Sequence, residues 1–326
     1  MYLSIDEAVL QLQNHGVVAI PTETVYGLAG LATSPKAVKK IYEVKNRPTD
    51  NPLICHFYSY DQLCEYIPHL SAAAEVLIQH FSPGPISFLF NLPENSVLKP
   101  TTAGHNTVVC RIPNHPVTLE ILRKINIPLA APSANTSTKF SPTTAKMVAQ
   151  DLGSKIDGIV DGDESEIGLE STIIDCTDPH KIVILRPGVI GKLELEERLK
   201  YFDLDVVVVE KEVEENATIP GQKYEHYSPV TPIFRVKNFT DILESDNIAI
   251  LGTQMSVGEA ELMLKDISKI KFLNLGQNLE EIAHNLYQKL SELDSLEVEK
   301  AYLLEFNFDK SSLLEALNDK LNRVLR

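Results

Sequence analysis

Two α/β bodies of unequal size, joined by an irregular tether, are what this 326-residue sequence predicts. Three observations lead there. Short apolar, β-rich runs alternate with helical stretches almost throughout the chain. The alternation stops once, over 210–232, "EKEVEENATIPGQKYEHYSPVTP", which is charged, then punctuated by Pro and Gly, and has no sustained period. The length also exceeds that of one compact domain of usual size.

In the first body, strands are expected at 16–20, 85–92, 107–112, 127–131, 158–160, 171–175 and 181–185. Helices are expected at 36–44, 72–81, 117–124, 143–152 and 193–199, where apolar residues recur at three- and four-residue spacing. Ser34 followed by Pro35 fits an N-cap and first helical position. The strands are numerous and their connections vary in length. This favours a large, twisted mixed sheet flanked by helices over a regular βαβ repeat. After the apolar run 206–209 and the tether, strands are expected at 247–251, 270–275 and 301–306. Helices are expected at 256–267, 279–293 and 311–325, the last two long and amphipathic. A smaller, three-layer, Rossmann-like α/β body is the economical reading, with boundaries at 1–209, 210–232 and 233–326. No Gly-rich nucleotide fingerprint opens any of its helices, so its fold names no ligand.

Composition excludes several classes. Hydrophobic content of 44% and charged content of 23% are those of a globular protein able to bury full cores. The first ten residues carry Asp6 and Glu7 and no apolar signal region, and no segment approaches ~18 uninterrupted apolar residues. A cytoplasmic protein without membrane partners is expected. Cys55, Cys64, Cys110 and Cys176 are scattered, with no CxxC pair, which argues against a zinc site or a disulfide framework. The formal charge is −15, so bulk attraction to nucleic acid is excluded and any polyanion site must be a local cluster. Residues 1–200 hold 17 Lys and Arg against 22 Asp and Glu, and the remainder holds 13 against 23, so the two parts differ electrostatically.

Five polar motifs stand at element ends in the first body. In "IPTETVYGL" (20–28), a buried strand runs into Thr22, Glu23 and Thr24, hydroxyls and a carboxylate suited to a small polar ligand or to closing a turn. In "KNRPTDNPLICHF" (45–57), Lys45 and Arg47 stand two apart, and Pro48 ends any helix. In a segment extended across Arg47 the two cations would close on one polyanion; otherwise they are surface charges of a solvated loop. Asn51 and His56 follow, His56 after the strand-like 53–55. In "TVVCRIP" (107–113), Arg111 sits in an apolar run, so it must be salt-bridged or face a ligand cavity. In "PLAAPSANTSTKFSPT" (128–143), Ser133, Asn135, Ser137 and Ser141 crowd a turn before a helix, a natural anion or ribose cradle. Capping of the 143–152 helix accounts for Ser141 alone. "GLESTIID" (168–175) and "LRPG" with Arg186 repeat the theme. No P-loop, kinase, zincin or nucleophile-elbow motif is present. Cation clusters and hydroxyl-rich turns without an evident nucleophile suggest phosphoryl or nucleotidyl chemistry driven by positioning and charge neutralisation.

These motifs, with "SPGPIS" between them and "PGQKYEHYSP" after, fall in the order and approximate spacing of the Sua5/YrdC/YwlC family, which the chain resembles. The tether and extra α/β body resemble the long, two-domain Sua5 form. The resemblance implies a YrdC-like catalytic domain and L-threonylcarbamoyladenylate synthase activity, which uses L-threonine, bicarbonate and ATP with Mg²⁺ and releases pyrophosphate. Its product feeds the threonylcarbamoyl modification of adenosine 37 in tRNA through downstream transfer proteins, with tRNA an indirect partner. By motif match, Lys45 and Arg47 would be catalytic, neutralising the triphosphate. Arg47, Asn51, Thr107, Ser133, Asn135, Ser141 and Arg186 would hold ATP, with His226 and Tyr227 of the tether closing as a lid. Thr24, His56, Arg111, Ala131 (through its backbone) and Ser171 would hold threonine, and no protein metal ligand is implied. Two departures stand out. Phe81 and Ser82 occupy the place near "PGP" where members commonly carry Trp, and Thr138 stands where many have Gly. Three alternatives remain: a catalytically dead regulator, a non-catalytic YrdC-like module holding double-stranded RNA or tRNA, and the YrdC-like part of hydrogenase-maturation carbamoyltransferases. The last carry paired-cysteine zinc fingers that this chain lacks.

Overall fold

A computed structural model describes residues 1–210, 229–237, 240, 242, 247–264 and 270–325. The chain divides into two compact units. In the first, it runs α1 (Ile5–Gln13), β1 (Val18–Ile20), β2 (Gly27–Leu31), α2 (Pro35–Lys45), β3 (Ile54–His56), α3 (Tyr60–Tyr66) and α4 (Ala72–Phe81). It continues through β4 (Ile86–Asn91), β5 (Thr107–Arg111), α5 (Pro116–Ile125), β6 (Leu129–Ala130), α6 (Ala145–Leu152) and β7 (Gly158–Ile159). Then come β8 (Thr172–Asp178), β9 (Lys181–Arg186), α7 (Lys192–Tyr201) and β10 (Val207–Glu210).

Local side-chain chemistry starts the helices. Ser34 Oγ accepts the Ala37 N–H, with Pro35 at the first position of α2. Helix α1 opens on a capping box, in which Ser4 Oγ accepts from the Glu7 N–H and the Glu7 carboxylate accepts from the Ser4 N–H. At α6 the expectation is corrected. Thr144 Oγ1 accepts the Met147 N–H at 3.1 Å and is the cap, so Ser141 is not. Ser141 instead donates to Glu170 Oε1 at 2.6 Å.

The strands of this unit form one sheet in the order β10-β9-β8-β4-β5-β3-β6-β2-β1-β7. It is mixed: β3 is parallel to β5 and antiparallel to β6, and β4 is antiparallel to β5 and parallel to β8. Side-chain alternation sorts the strands onto two faces. Cys55, Cys110, Phe88 and Ile174 belong to a large core with Leu63 of α3, Ala73 and Leu77 of α4, and Leu195 and Leu199 of α7. Ile54, Leu89, Val109, Ile173 and Leu185 form a small cluster of their own. In register with the latter set, His56 of β3 pairs with Arg111 of β5. The small cluster is therefore the apolar floor from which polar side chains rise.

The second unit holds β11 (Ile233–Val236), β12 (Ile248–Gly252), α8 (Gln254–Met263), β13 (Ile270–Asn274), α9 (Leu279–Asp294), β14 (Lys300–Leu304) and α10 (Ser312–Val324). Its sheet is parallel, in the order β11-β14-β12-β13. Ile248, Ile250, Tyr302 and Leu304 pack with Ala260 of α8. Ala249, Leu251, Ala301 and Leu303, also buried, alternate to the opposite face, the pattern of a parallel sheet covered on both sides.

Candidate active site

Helix α2 ends at Lys45 because Asn46 takes the left-handed conformation (φ 50°) and Pro48 follows. Lys45 is 1% exposed. Its ammonium donates to the carbonyls of Ser133 and Asn135, and the Ser137 N–H donates to Lys45 O at 2.7 Å. Burial, and then the charge of Arg47, hold its pKa well below the usual lysine value. Arg47 engages different partners: Nε donates to Asn51 O at 3.0 Å, and Nη2 to Asn51 Oδ1 at 2.6 Å and Pro52 O at 2.8 Å. Burial pushes Arg47 down to about 10; the Tyr42 phenol opposes this and the charge of Arg186 adds to it. The two cations thus do not project together from an extended segment. The left-handed turn at Asn46 breaks the alternation that would align them.

The 133–143 turn is built on that lysine. Ala134 N–H donates to Tyr26 O at 2.8 Å, Asn135 Nδ2 to Thr136 O at 3.0 Å, and Thr136 is held by Asp151. Asn135 and Ser141 are buried and Ser133 is half-buried. The Ser137 hydroxyl is buried without a hydrogen-bond partner. Thr138 has φ 80°, a conformation that favours glycine and strains a β-branched residue.

A second cationic centre stands on β5. Arg111, 4% exposed, donates through Nη1 to Thr24 Oγ1 at 2.9 Å and through Nε to Gly84 O at 3.3 Å. Nη2 lies 2.8 Å from Glu23 Oε1. That contact is an ion pair by distance but its N–H is not aligned, so Nη2 and both Glu23 oxygens are buried without a hydrogen-bond partner. The salt-bridged reading of Arg111 is thereby realised. His56, 2% exposed, has Nδ1 3.3 Å from Ile54 O. Burial, and then Arg111, push its pKa down to about 3, so it is a neutral imidazole.

A third group gathers where β8 and β9 begin and end. Ser171 Oγ lies 2.8 Å from Ser87 Oγ and accepts from Arg186 Nη2 at 3.1 Å, while Arg186 Nε donates to Ser171 O at 3.0 Å. Ala131 N–H is taken by Ile54 O at 3.0 Å, so its carbonyl is the group it can offer. Thr107 opens β5 and Arg111 closes it, on one face at opposite ends of the strand. His226 and Tyr227 lie outside the described residues. Sequence reasoning did not single out Ser87, a serine inside the apolar run "PISFLF", or Glu170, the partner of Ser141. A hydroxyl in a buried strand and a carboxylate in "GLESTIID" were the available signals.

A mixed α/β sheet with the buried guanidiniums of Arg111 and Arg186 and hydroxyl-rich strand ends is the arrangement of a protein suited to holding anionic groups. The comparisons specify which. The family model for Sua5, YciO and YrdC proteins, described as telomere recombination, matches residues 11–188, and that of the threonylcarbamoyl-AMP synthase C-terminal domain matches 190–324. A threonylcarbamoyl-AMP synthase of Bacillus subtilis is 35% identical over 329 residues, 98% of this chain and 92% of the relative. One of Pyrococcus abyssi is 38% identical over 283 residues, 85% of this chain and 82% of the relative. The crystal structure of P. abyssi Sua5 complexed with L-threonine superposes with a TM-score of 0.83 at 33% identity, over 98% of this chain and 93% of that one. The chain belongs to the Sua5/YrdC/YwlC family, in its two-domain threonylcarbamoyl-AMP synthase form.

Proposed function

We propose that this chain is a nucleotidyltransferase that makes threonylcarbamoyl-AMP and pyrophosphate from L-threonine, bicarbonate and ATP, for modification of adenosine 37 in tRNA. The amine of threonine and bicarbonate give an N-carboxylate and water. An oxygen of that carboxylate attacks the α-phosphorus of ATP, and pyrophosphate leaves. The observation that supports this most is a pair of cationic groupings with unlike surroundings, Arg111 on β5 and Arg47 in the loop between α2 and β3. Arg111 with Thr24 and the neutral His56 suits an amino-acid carboxylate. Arg47, held by Asn51 and within the field of Arg186, suits a polyphosphate, because like charges held close are relieved by a polyanion.

In this reading Arg47, Asn51, Thr107, Ser133, Asn135, Ser141 and Arg186 contact ATP. Lys45 sets the carbonyls of Ser133 and Asn135 as well as contributing charge. Thr24, His56, Arg111, Ala131 and Ser171 contact threonine, and His226 and Tyr227 close over the nucleotide. Mg²⁺ would enter on ATP. The cradle offers hydroxyls, carbonyls and cations, a donor set that fits an ion held mainly by phosphate and water. Residues 1–209 would form the catalytic domain, 210–232 the lid-bearing tether and 233–326 the second domain. Downstream transfer proteins would take the labile adenylate to tRNA. No helix among the described residues is long and apolar enough to cross a membrane.

Incubation with ATP, Mg²⁺, bicarbonate and threonine should release pyrophosphate only when threonine is present. Arg47→Ala should lower that turnover about a hundredfold or more while the protein stays folded. Release that ignores threonine, or none at all, rejects the proposal.

A further inference from the structure

We propose that Glu23 is the ammonium-binding residue of the amino-acid pocket, an assignment that rests on reading Arg111 as the site of the amino-acid carboxylate. Glu23 is 4% exposed and lies in the turn that leaves β1. Its carbonyl accepts the Ile167 N–H at 2.8 Å, which pins the backbone. Its carboxylate forms an ion pair with Arg111, Oε1 lying 2.8 Å from Nη2, yet neither of its buried oxygens receives an aligned hydrogen bond.

A purely structural pair would be expected to adopt the fork geometry in which two parallel N–H groups meet two oxygens. Here the guanidinium is oriented by other groups, Thr24 Oγ1 on Nη1 and Gly84 O on Nε. Buried carboxylate oxygens and a guanidinium nitrogen left without hydrogen bonds are destabilising unless something completes them. One ligand class completes both at once: a zwitterionic α-amino acid, whose ammonium brings donors to Glu23 and whose carboxylate brings acceptors to Arg111. The two charged groups of such a molecule stand on one carbon, as Glu23 and Arg111 stand in contact. His115 agrees with this arrangement. It lies within the electrostatic field of Glu23, its Nε2 is 3.1 Å from Gly162 O and so carries the proton, and its Nδ1 is a buried, unpartnered acceptor.

The test compares L-threonine with (R)-3-hydroxybutyrate by calorimetry. The second compound keeps the carboxylate, hydroxyl and carbon chain and lacks the amine. The wild-type chain should prefer threonine strongly. In Glu23→Gln the Kd for threonine should rise about thirtyfold or more, while that for hydroxybutyrate stays level or falls and that for ATP is unchanged. Equal weakening of both compounds would mean that Glu23 only holds Arg111 in place, and an unaltered preference would mean that it touches neither; either result overturns the proposal. If the variant does not fold, the wild-type arm still decides, because equal affinity for the two compounds also overturns it. A wild-type chain that binds neither compound removes the amino-acid reading of Arg111 itself, which separates that failure from the failure of Glu23.

Discussion

His56 shows how burial fixes a protonation state that the sequence leaves open. Its folded pKa, about 3, lies below the unfolded histidine value of about 6.5. Between those values the unfolded chain binds more protons, so stability is complete above about pH 6.5 and falls as the pH drops toward 3. This one group contributes a slope of about 1.4 kcal/mol per pH unit in that window. Urea unfolding at pH 6.5 and pH 5 should therefore show the wild type losing about 2 kcal/mol more than His56→Gln. Parallel losses would mean that the imidazole is charged or solvated when folded. At this scale much of the site was legible. A charge inside "TVVCRIP" had to be paired or face a cavity, and Arg111 has both an off-axis carboxylate and free donor capacity. What was not legible is pairing across distance. Nothing local in "PISFLF" says that Ser87 will meet Ser171 on another strand. The spacing of Lys45 and Arg47 likewise gave no sign that the lysine ammonium would be occupied by two carbonyls.

Most elements with strong local signals were recovered, though α1 was not, and β2, made by tertiary pairing, was missed. Ser34 and Pro35 announce α2, whereas β2, "GLAGL", has a composition that disfavours strands and exists because β1 and β6 pair on either side of it. Helix α1 had a readable S-x-x-E start that hydrophobic period alone passes over. The "LRPG" motif has an element-level reason as well as a chemical one. A Cβ on Gly188 would come within 2.4 Å of Thr172 N and 2.6 Å of Thr172 Oγ1. That hydroxyl both donates to Ile190 O at 2.7 Å and accepts from Ile190 N–H at 3.1 Å, tying the end of β9 to the start of β8 beside Ser171. Gly188→Ala should cost about 1–3 kcal/mol by forcing this contact apart. A lowered urea midpoint would register the loss; an unchanged midpoint would show that the backbone yields without penalty.

For the whole chain, net charge is −15, Lys45, Arg111 and Arg186 are buried and Arg47 is half-buried, an arrangement suited to small anions that can enter and poorly suited to an extended polyanion outside. Fluorescence anisotropy with a short RNA duplex should show no appreciable binding at physiological ionic strength. Tight binding that falls steeply with added salt would instead favour the RNA-holding alternative. The chain divides into two units, and the strand–helix order of the second fits its parallel sheet, although β11 lacked a period long enough to read. One consequence of the β3–β5 register reaches further. Cys55 and Cys110 are partners in the same ladder as His56 and Arg111, one step earlier and on the opposite face. Both thiols are fully buried, and burial raises their pKa values, that of Cys55 to about 12, so neither offers thiolate at neutral pH. The sheet behind His56 and Arg111 is thus sealed at these two thiols against oxidants and alkylating agents. Chemical damage can reach it only by first opening the fold that also holds His56 beside Arg111.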